Sequence, residues 1–363
     1  MKIIAFHLPQ FHEIPENNEW WGQGFTEWTN VKKAQPQFES HYQPRQPLGD
    51  HYYNMLDQST REWQATLAKR YGIYGFCYYH YWFAGRKLLE KPLEDLLKSE
   101  EPDFPFCLSW ANHSWTRAWD GNKREMLIEQ TYGDERAWED HFYYLLKFFK
   151  DSRYIKVDDK PLFIIFNPSH IKKCDEMLAL WDKLALENGL CGMHFLEMLT
   201  TYNNMHSHKR FDGKIEFEPM YTIKYKIPFW KVLQRPFNRF LQDAISIFDR
   251  RYKKGFLNVM DYDYVWENIL SRKPSNKNTY LGAFVDWDNT ARRGSKAFII
   301  KGASPEKFKK YLSIQVKRSS TLLNNDMLFL NAWNEWAEGC YLEPDKKYGY
   351  KYLEVLRDVL LQK

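Results

Sequence analysis

The sequence predicts an α/β protein, a (β/α)8 TIM barrel with long β/α loops that forms a single domain over residues 1–363. Eight short apolar runs bounded by turn residues alternate with segments of helical periodicity. None of the eight is followed by G-x-G-x-x-G or G-x-x-x-x-G-K-[ST], the phosphate-binding motifs of open nucleotide-binding sheets. Polar and aromatic residues gather just after the runs, where barrel enzymes carry their active sites. The chain is long for one domain, but α/β barrels often reach this size.

The eight predicted strands are short, and six helices are predicted between them. The strands cover 3–8, 72–81, 106–111, 162–167, 193–199, 214–217, 280–286 and 327–333. The helices cover 59–71, 88–98, 135–150, 174–188, 265–270 and 305–324. The number of strands, eight, and the absence of a nucleotide-binding motif after any of them favour a closed barrel over an open doubly wound sheet.

The first long loop, 11–53, lies between strands one and two and carries the sequence WWGQGFTEW at 20–28. A loop of this length in a compact domain is more often functional than not. We therefore expect it to form one wall of a cleft at the carboxyl ends of the strands.

A second excursion, 221–256, is predicted as a basic aromatic insertion within the barrel. It contains nine basic residues between Lys224 and Lys254 and only Asp243 and Asp249 as acids, with aromatic residues interleaved. This composition is typical of a segment that contacts an anionic membrane surface. A basic face exposed to solvent is the alternative interpretation, and the sequence alone favours it.

Composition and charge narrow the class of protein. The net charge is +5, from 52 basic and 47 acidic residues, which argues against a nucleic-acid partner. Aromatic residues make up 18%, including 15 Trp and 24 Tyr. Most of them belong in the core, but flat rings with a polar group also suit the apolar faces and hydroxyl edges of sugars. An oligosaccharide or polysaccharide, the substrate expected from the two glutamates near the end of the chain, could bind to such rings.

The amino terminus and the cysteines bear on the compartment. Residues 1–10 contain no signal peptide, and no apolar run is long enough to span a membrane. The five cysteines are scattered and lack a C-x-x-C pair, which predicts neither disulfides nor a zinc site. The sequence thus predicts a cytoplasmic protein, with peripheral attachment to the inner membrane as an option, and no metal or cofactor.

Two glutamates near the end of the chain are the predicted catalytic residues. Glu335 and Glu338 follow the apolar run of the last strand and are flanked by Trp333 and Trp336. Cleavage of a glycosidic bond needs one acid that protonates the leaving oxygen and a second carboxylate at the developing oxocarbenium centre. Aromatic walls and like charge would raise the pKa of one member, so that the pair could divide these roles. Solvated charges on a surface helix are the alternative, which the neighbouring tryptophans disfavour.

The motif Asn334–Gly339 resembles the catalytic signature of glycoside hydrolase family 99 endo-α-mannosidases and of WbsX-like proteins associated with polysaccharide biosynthesis. The resemblance to the WbsX-like group spans nearly the whole chain. It rests on FHLPQFH at 6–12, WWGQGFTEW at 20–28, CYYHYW at 77–82 and WDNTARR at 287–293. It implies that Glu335 acts as a base on the sugar 2-hydroxyl, through a 1,2-anhydro intermediate, and that Glu338 acts as general acid and base. Such a reaction retains the anomeric configuration of an α-mannoside-type glycan.

Residues at the strand ends, in the first long loop and beside the two glutamates are predicted to contact the substrate. They are His7, Gln10, Trp21, Glu27, Trp28, Tyr79, His80, Trp82, Trp110, Asn112, His113, Trp115, Glu218, Asp286, Trp287, Asp288, Asn289, Arg292, Arg293, Trp333, Asn334 and Trp336. The arginines could bind a carboxylate or phosphate of an acidic sugar. The tryptophans, with Trp119, could stack on sugar rings, and histidines or tryptophans at such positions are as often packing residues.

Three functions remain open at this stage. The first is a retaining hydrolase or transglycosylase, for which two carboxylates suffice. The second is a WbsX-type glycosyltransferase of O-antigen or capsular polysaccharide biosynthesis, acting on a glycan that could be lipid-linked. The spacing Asp261–Asp263 fits a D-x-D nucleotide-sugar motif but lies where we expect an insertion or helix. The third, a barrel that only binds sugar, is disfavoured by the two glutamates.

Overall fold

Eight parallel strands form a closed barrel in the computed structural model, which describes residues 1–117, 125–200, 208–225, 258–323 and 325–361. The strands are β1 (Lys2–His7), β2 (Ile73–Phe83), β3 (Phe106–Trp110), β4 (Lys160–Ile165), β5 (His194–Leu199), β6 (Gly213–Glu216), β7 (Thr279–Tyr280 and Gly282–Phe284) and β8 (Met327–Asn331). Strands β1 to β6 pair in chain order, and β8 pairs with β1. The predicted (β/α)8 fold is thus confirmed.

Strand β7 closes the barrel in two segments. Its first segment pairs with β6 through Thr279 and Tyr280, and its second pairs with β8 from Gly282 onward. A Cβ atom at Gly282 would lie 1.9 Å from the carbonyl oxygen of Glu216. Only glycine at position 282 therefore lets β7 approach the end of β6 closely enough for the barrel to close. The strand ends at residue 284, two residues before the predicted end.

Helices lie between the strands as the periodicity predicts. They are α1 (Pro15–Trp21), α2 (Glu27–Lys33), α3 (Gln58–Arg70), α4 (Lys91–Leu97), α5 (Glu135–Phe149), α6 (Cys174–Glu187), α7 (Met220–Tyr225), α8 (Tyr262–Ser271), α9 (Thr290–Arg293), α10 (Pro305–Leu322) and α11 (Lys351–Leu361). The amphipathic pattern of α5 buries Trp138, His141, Phe142 and Leu145 on one face.

Two helix boundaries differ from the prediction for local reasons. Helix α4 begins at Lys91 rather than 88, because Arg86–Leu88 folds back antiparallel onto the end of β2. Helix α8 begins at Tyr262, because the Asp261 carboxylate accepts a hydrogen bond from the Tyr264 amide and so caps the helix.

The barrel interior is filled by aromatic side chains from several strands. The ring of Phe6 on β1 lies 5.7 Å from that of Tyr79 on β2 and 5.2 Å from that of Phe217, which follows β6. Because β1 and β6 lie on opposite sides of the barrel, these contacts cross its axis. The side chains that share a strand face with Phe6 and Tyr79 therefore point inward, and their sequence neighbours point outward toward the helices.

The first long loop is ordered by two short helices, α1 and α2, and by contacts with the other end of the chain. The predicted insertion 221–256 lies outside the described residues, apart from 221–225 in α7, and so does Trp119. Among the helices that are described, none is both long and apolar enough to cross a bilayer.

Candidate active site

The turn that follows β8 carries both predicted catalytic glutamates. Asn334–Glu335 pairs antiparallel with Cys340–Tyr341, and the intervening Trp336–Glu338 forms one turn of 3-10 helix. Asn334 ties this turn to the end of β1, because its Oδ1 accepts from the Leu8 amide at 2.7 Å and its Nδ2 donates to the Leu8 carbonyl at 3.0 Å. The short hairpin thus holds Glu335 and Glu338 at the carboxyl end of the barrel.

Gly339 ends the turn in a left-handed conformation, with φ of 63° and ψ of 18°. A Cβ atom there would lie 3.0 Å from the Cβ and carbonyl oxygen of Asp288 and 3.1 Å from Cζ of Arg45. We expect Gly339→Ala to lower the free energy of unfolding by about 2 kcal/mol or more, measured by urea denaturation. Gly49→Ala is the matched control, because Gly49 has φ 65° and ψ 18° but open space around it. Equal losses in both variants would show that the contacts with Asp288 and Arg45 carry no cost.

One guanidinium joins three carboxylates at this turn. Arg292 Nη1 donates to Glu338 Oε1 at 2.5 Å, and Nη2 donates to Glu27 Oε1 at 2.6 Å and to Glu335 Oε2 at 3.2 Å. The four groups come from α2, α9 and the turn after β8. The side chain of Glu27 is fully buried, that of Glu335 is 8% exposed and that of Glu338 is 22% exposed. Glu338 is therefore the most accessible of the three carboxylates.

Burial and like charge govern the protonation of the pair. Burial raises the pKa of Glu335 well above its usual range, and the charge of Glu338 raises that pKa further, while Arg292 opposes both effects. Burial also raises the pKa of Glu338, with Arg292 lowering that pKa and Glu27 raising it. Both pKa values are raised, so the pair retains a proton at pH values where isolated glutamates are ionised.

Two tyrosines of β2 face this cluster. Burial raises the pKa of Tyr79 and of Tyr81, and the charge of Glu335 is the next-largest cause in both cases. Both phenols therefore stay neutral and can donate a hydrogen bond. Tyr79 was predicted as a substrate contact, and Tyr81 was not. Strand parity could have identified it, because residues 79 and 81 lie on the same face.

The same parity places three predicted contacts on the outside of the barrel. His7 bonds Gln64 of α3 at 3.1 Å, and burial lowers the pKa of His7 to about 3. His80 bonds His141 of α5 at 2.9 Å, and Trp82 stacks on His141 at 4.5 Å. The structure does not bring His7, His80 and Trp82 together with the glutamates. They pack the barrel against the helices.

The residues at the end of β3 occupy two different environments, because some pack between the barrel and its helices and others lie at the mouth of the barrel. Trp110 donates to the Trp82 carbonyl and is buried, and Asn112 joins the ends of β3 and β4 through bonds with Asn167. His113 is partly exposed beside Phe166, and burial lowers the pKa of His113 to about 4. His113 is thus a neutral side chain at the mouth.

One aromatic residue of the first loop, Trp20, reaches the neighbourhood of Tyr81 through Trp115, which follows β3. Trp115 lies edge-on to Tyr81 at 5.3 Å and to Trp20 at 5.9 Å. Trp21 is half-buried, with the Arg117 guanidinium 5.7 Å from its ring. The loop therefore reaches the same side of the barrel as the glutamates, in agreement with the predicted wall.

The loop after β7 contributes Arg292 to the site and uses its aspartates elsewhere. Asp288 is bonded by His41, Gln43 and Thr290, and Arg45 pairs with Asp286 at 2.8 Å. These bonds lower the pKa of Asp288 despite its burial. Asp286 and Asp288 thus fasten the first loop to this one. Asn289 accepts from the Phe298 amide, Trp287 is buried, and Arg293 is exposed.

Glu218 lies in a separate buried ion cluster. Its carboxylate accepts from Arg272 Nη2 at 2.6 Å and from Thr222 Oγ1 at 2.8 Å, and Arg272 also pairs with Glu216. Glu216 lies on β6, Glu218 in the link between β6 and α7, Thr222 on α7, and Arg272 directly after α8. The structure does not bring Glu218 to Glu335 and Glu338, so it holds helices to the barrel.

The remaining residues that were predicted to contact the substrate are buried and pack against the turn that carries Glu335 and Glu338. Trp336 is buried between Trp28, at 5.4 Å, and Tyr341, at 3.8 Å in a stacked geometry. Trp333 is also buried. The carbonyl of the buried Gln10 accepts from the Glu27 amide at 3.0 Å and so fixes the start of α2. These aromatic side chains set the position of the glutamates and are not free to stack on a sugar.

Glu343 is a buried carboxyl that sequence reasoning missed. Its oxygens accept hydrogen bonds from Tyr53, Gln64 and Trp336, the last at 2.6 Å. The signal was faint, because a lone glutamate four residues beyond a glycine turn is usually a surface charge. Through Trp336 it helps to orient the turn that carries the two catalytic candidates.

Glu343 should make stability depend on pH. Burial raises its pKa from 4.5 to about 7, so its contribution is fully present below pH 4.5 and declines as pH rises through 7. We expect the free energy of unfolding to fall by up to about 3 kcal/mol over that window and Glu343→Gln to flatten the decline. Urea denaturation at pH 5 and pH 8 measures both. An equally steep decline in the variant would assign the pH dependence to other groups.

Possible metal ligands and the D-x-D spacing at Asp261 and Asp263 are the remaining candidates for a metal or nucleotide-sugar site. Within the described ranges, no group of three or more His, Cys, Asp or Glu side chains has the arrangement of a metal site. The D-x-D spacing is occupied structurally, because Asp261 caps α8 and Asp263 is bonded by Lys307 and Tyr311. These two aspartates therefore do not form a nucleotide-sugar site.

Comparison with known families identifies one matching family model, described as Glycosyltransferase WbsX, which covers residues 3–356. The uncharacterized protein WxcX of Xanthomonas campestris pv. campestris is 34% identical over 363 residues, in each of two strains. The alignment covers 99% of this chain and 49% of that protein. The chain therefore spans about half the length of the curated relatives it matches.

Solved structures with the same fold include carbohydrate enzymes. A glycoside hydrolase-like protein superposes with a TM-score of 0.59 at 13% identity, covering 99% of this chain and 93% of that one. The GH99 endo-alpha-mannosidase from Bacteroides thetaiotaomicron superposes with a TM-score of 0.53 at 12% identity, covering 99% and 96%. At these identities the likeness concerns the fold alone.

Proposed function

Because this chain belongs to the WbsX glycosyltransferase family, we propose that it is a carbohydrate-active enzyme that cleaves or transfers at a glycosidic bond with retention of configuration. The observation that carries the proposal is the placement of Glu335 and Glu338. Both leave one turn at the carboxyl end of the barrel, and both reach the same guanidinium of Arg292. Glycosidic cleavage requires one protonated carboxyl and one ionised carboxylate, and two neighbouring glutamates that retain a proton between them supply both.

The roles of the two glutamates follow the resemblance to family 99 hydrolases. Glu338 would protonate the leaving oxygen, and its 22% exposure suits a group that must meet the aglycone side of the substrate. Glu335, more deeply buried, would remove the proton of the 2-hydroxyl, whose oxygen attacks the anomeric carbon as the leaving group departs. Water or an acceptor hydroxyl then opens the anhydro ring at the anomeric carbon and gives its proton to Glu338, while Glu335 returns its proton to the 2-oxygen of the sugar. An α-mannoside-type glycan has the trans arrangement that this route needs.

The charge of the site favours an uncharged sugar at the point of cleavage. Arg292, predicted as a fork for an acidic sugar, is already engaged by three carboxylates. An incoming carboxylate or phosphate would meet their excess negative charge. A sugar that offers only hydroxyl donors meets acceptors at Glu335 and Glu338, whereas Glu27 is fully buried.

A nucleotide-dependent glycosyltransferase is the second candidate, and the description of the family favours it. Its sugar donor would bring a diphosphate, which needs cations or a metal. Association with O-antigen or capsule assembly, a lipid-linked substrate, a cytoplasmic location and contact of 221–256 with an anionic membrane are parts of this same proposal.

One assay separates the two candidates. The protein is incubated with α-linked oligosaccharides, including α-mannosides, and separately with nucleotide sugars and lipid-linked acceptors. We expect new reducing ends or transfer products without nucleotide, with the α-anomer formed first in proton NMR spectra. The double variant Glu335→Gln, Glu338→Gln is the control for contaminating glycosidases. Turnover only in the presence of a nucleotide sugar would refute the two-glutamate mechanism.

A further inference from the structure

We propose that Arg292 is a positioning residue of this site: it holds Glu335 and Glu338 on one guanidinium, and Glu27 holds Arg292 in place. The catalytic meaning of this role rests on the proposed function. The role itself concerns how three carboxylates and one cation are arranged, and it can be tested without a substrate. It differs from the expectation of the sequence, in which Glu27 and Arg292 contact the sugar directly.

The geometry distributes the two terminal nitrogens of Arg292 between different carboxylates. Nη1 binds Glu338, the more exposed glutamate, and Nη2 binds Glu27 at 2.6 Å and Glu335 at 3.2 Å. A planar guanidinium with fixed donor directions can hold two carboxylates in a defined relation, and a lysine ammonium cannot. The separation of Glu335 and Glu338 is therefore set in part by a residue from another loop.

Glu27 anchors the guanidinium through Nη2, the nitrogen that also binds Glu335. It is the first residue of α2, its amide donates to the Gln10 carbonyl, and a capping box formed by Thr26 and Thr29 fixes the helix start. Its side chain is fully buried, and Oε2 has no hydrogen-bond partner among the described residues. Burying a carboxylate in this way is costly unless a cation is paired with it. The pair with Arg292 is thus the reason that Glu27 can occupy this position.

The groups that face the cluster predict opposite effects for its two outer members. Tyr79 and Tyr81 of β2 stay neutral, so among the residues that the structure describes the charges that act on Glu335 and Glu338 are their own, that of Glu27 and that of Arg292. Loss of the cation should raise the apparent pKa values of the pair. Loss of the Glu27 charge should lower them, both directly and by freeing Arg292 to bind the pair.

The experiment is a carbon-13 NMR titration of the glutamate side-chain carboxyls in the folded protein, with no substrate. Signals of the pair are assigned by their loss in Glu335→Gln and Glu338→Gln. We expect Arg292→Gln to move the apparent pKa values of the pair up by about one unit, and Glu27→Gln to move them down by about as much. Arg292→Lys should give a smaller upward shift. Arg293→Gln, at the exposed neighbouring position, is the matched control and should shift nothing.

Shifts in the same direction, or no shift in any Arg292 and Glu27 variant that folds, would overturn the positioning role. If Arg292→Gln does not fold, the lysine variant and Glu27→Gln decide the question, because both retain a polar side chain of similar size. The result is independent of catalysis: opposite shifts in a protein that cleaves no glycoside would leave the positioning role intact and refute the proposed function.

Discussion

Glu338→Gln is expected to lower turnover of unactivated α-linked glycosides by about 10²- to 10⁴-fold, the usual contribution of a general acid. A glycoside with a good leaving group, such as a nitrophenyl or fluoride donor, should retain most of its rate of bond cleavage. Its aglycone departs without a proton. The parent should show an alkaline limb in its pH–rate profile, which reports loss of the acid's proton, on the unactivated donor and not on the activated one.

The comparison between the two leaving groups is the decisive measurement for Glu338. The substitution removes a charged partner of Arg292 and could destabilise the fold. The comparison therefore requires that the variant melt at the same temperature as the parent. An equal loss on both donors would contradict the acid role and would indicate that Glu338 only holds Arg292.

Glu335→Gln is expected to abolish turnover of both classes of donor, with a loss of about 10³-fold or more. An amide cannot take the proton of the 2-hydroxyl, and this proton must leave whatever the aglycone is. Because burial and Glu338 raise the pKa of Glu335, the acid limb of the parent profile should lie above pH 4.5, the ordinary value for a glutamate. Activity is present above that limb and lost as pH falls through it.

A donor without the 2-hydroxyl supplies the matched test for Glu335. The parent protein should fail on a 2-deoxy donor as completely as the variant fails on the natural one. If the 2-deoxy donor is cleaved at a normal rate, participation of the 2-hydroxyl is wrong, and Glu335 must act on the anomeric carbon in another way.

Architecture was accessible from the sequence because its signals are local. Each of the eight apolar runs is a strand, and the boundaries differ by a few residues at most. The errors in the predicted boundaries have local causes as well. Arg86–Leu88 forms a hairpin with β2, and β7 is broken at Leu281, so that one of its segments pairs with β6 and the other with β8. Periodicity reports burial, and the register that a strand adopts when a barrel closes is not encoded in it.

Strand parity mainly decided which of the predicted contact residues face the glutamates and which face the outer helices. The choice of Tyr79, His80 and Trp82 at the end of β2 brought in one residue that faces the glutamates, Tyr79, and two that face α5. The choice omitted Tyr81. Applying the two-residue period to Phe6 and His7 of β1 would have assigned His7 to the outside in the same way. No sequence signal marked Asp288 and Glu218 as structural residues, because their hydrogen-bonding partners lie far away in the sequence.

The sequence by itself determined the barrel, the turn that carries Glu335 and Glu338, and the family to which the motif points, since all three depend on residues near one another in the chain. Only the tertiary structure decided which charges meet. Arg292 and Glu27 stand 265 positions apart, and nothing along the chain distinguishes this arginine from the exposed Arg293 beside it. The pairing exists because closure of the barrel brings α2, α9 and the last turn to one place, where a buried carboxylate must find a cation.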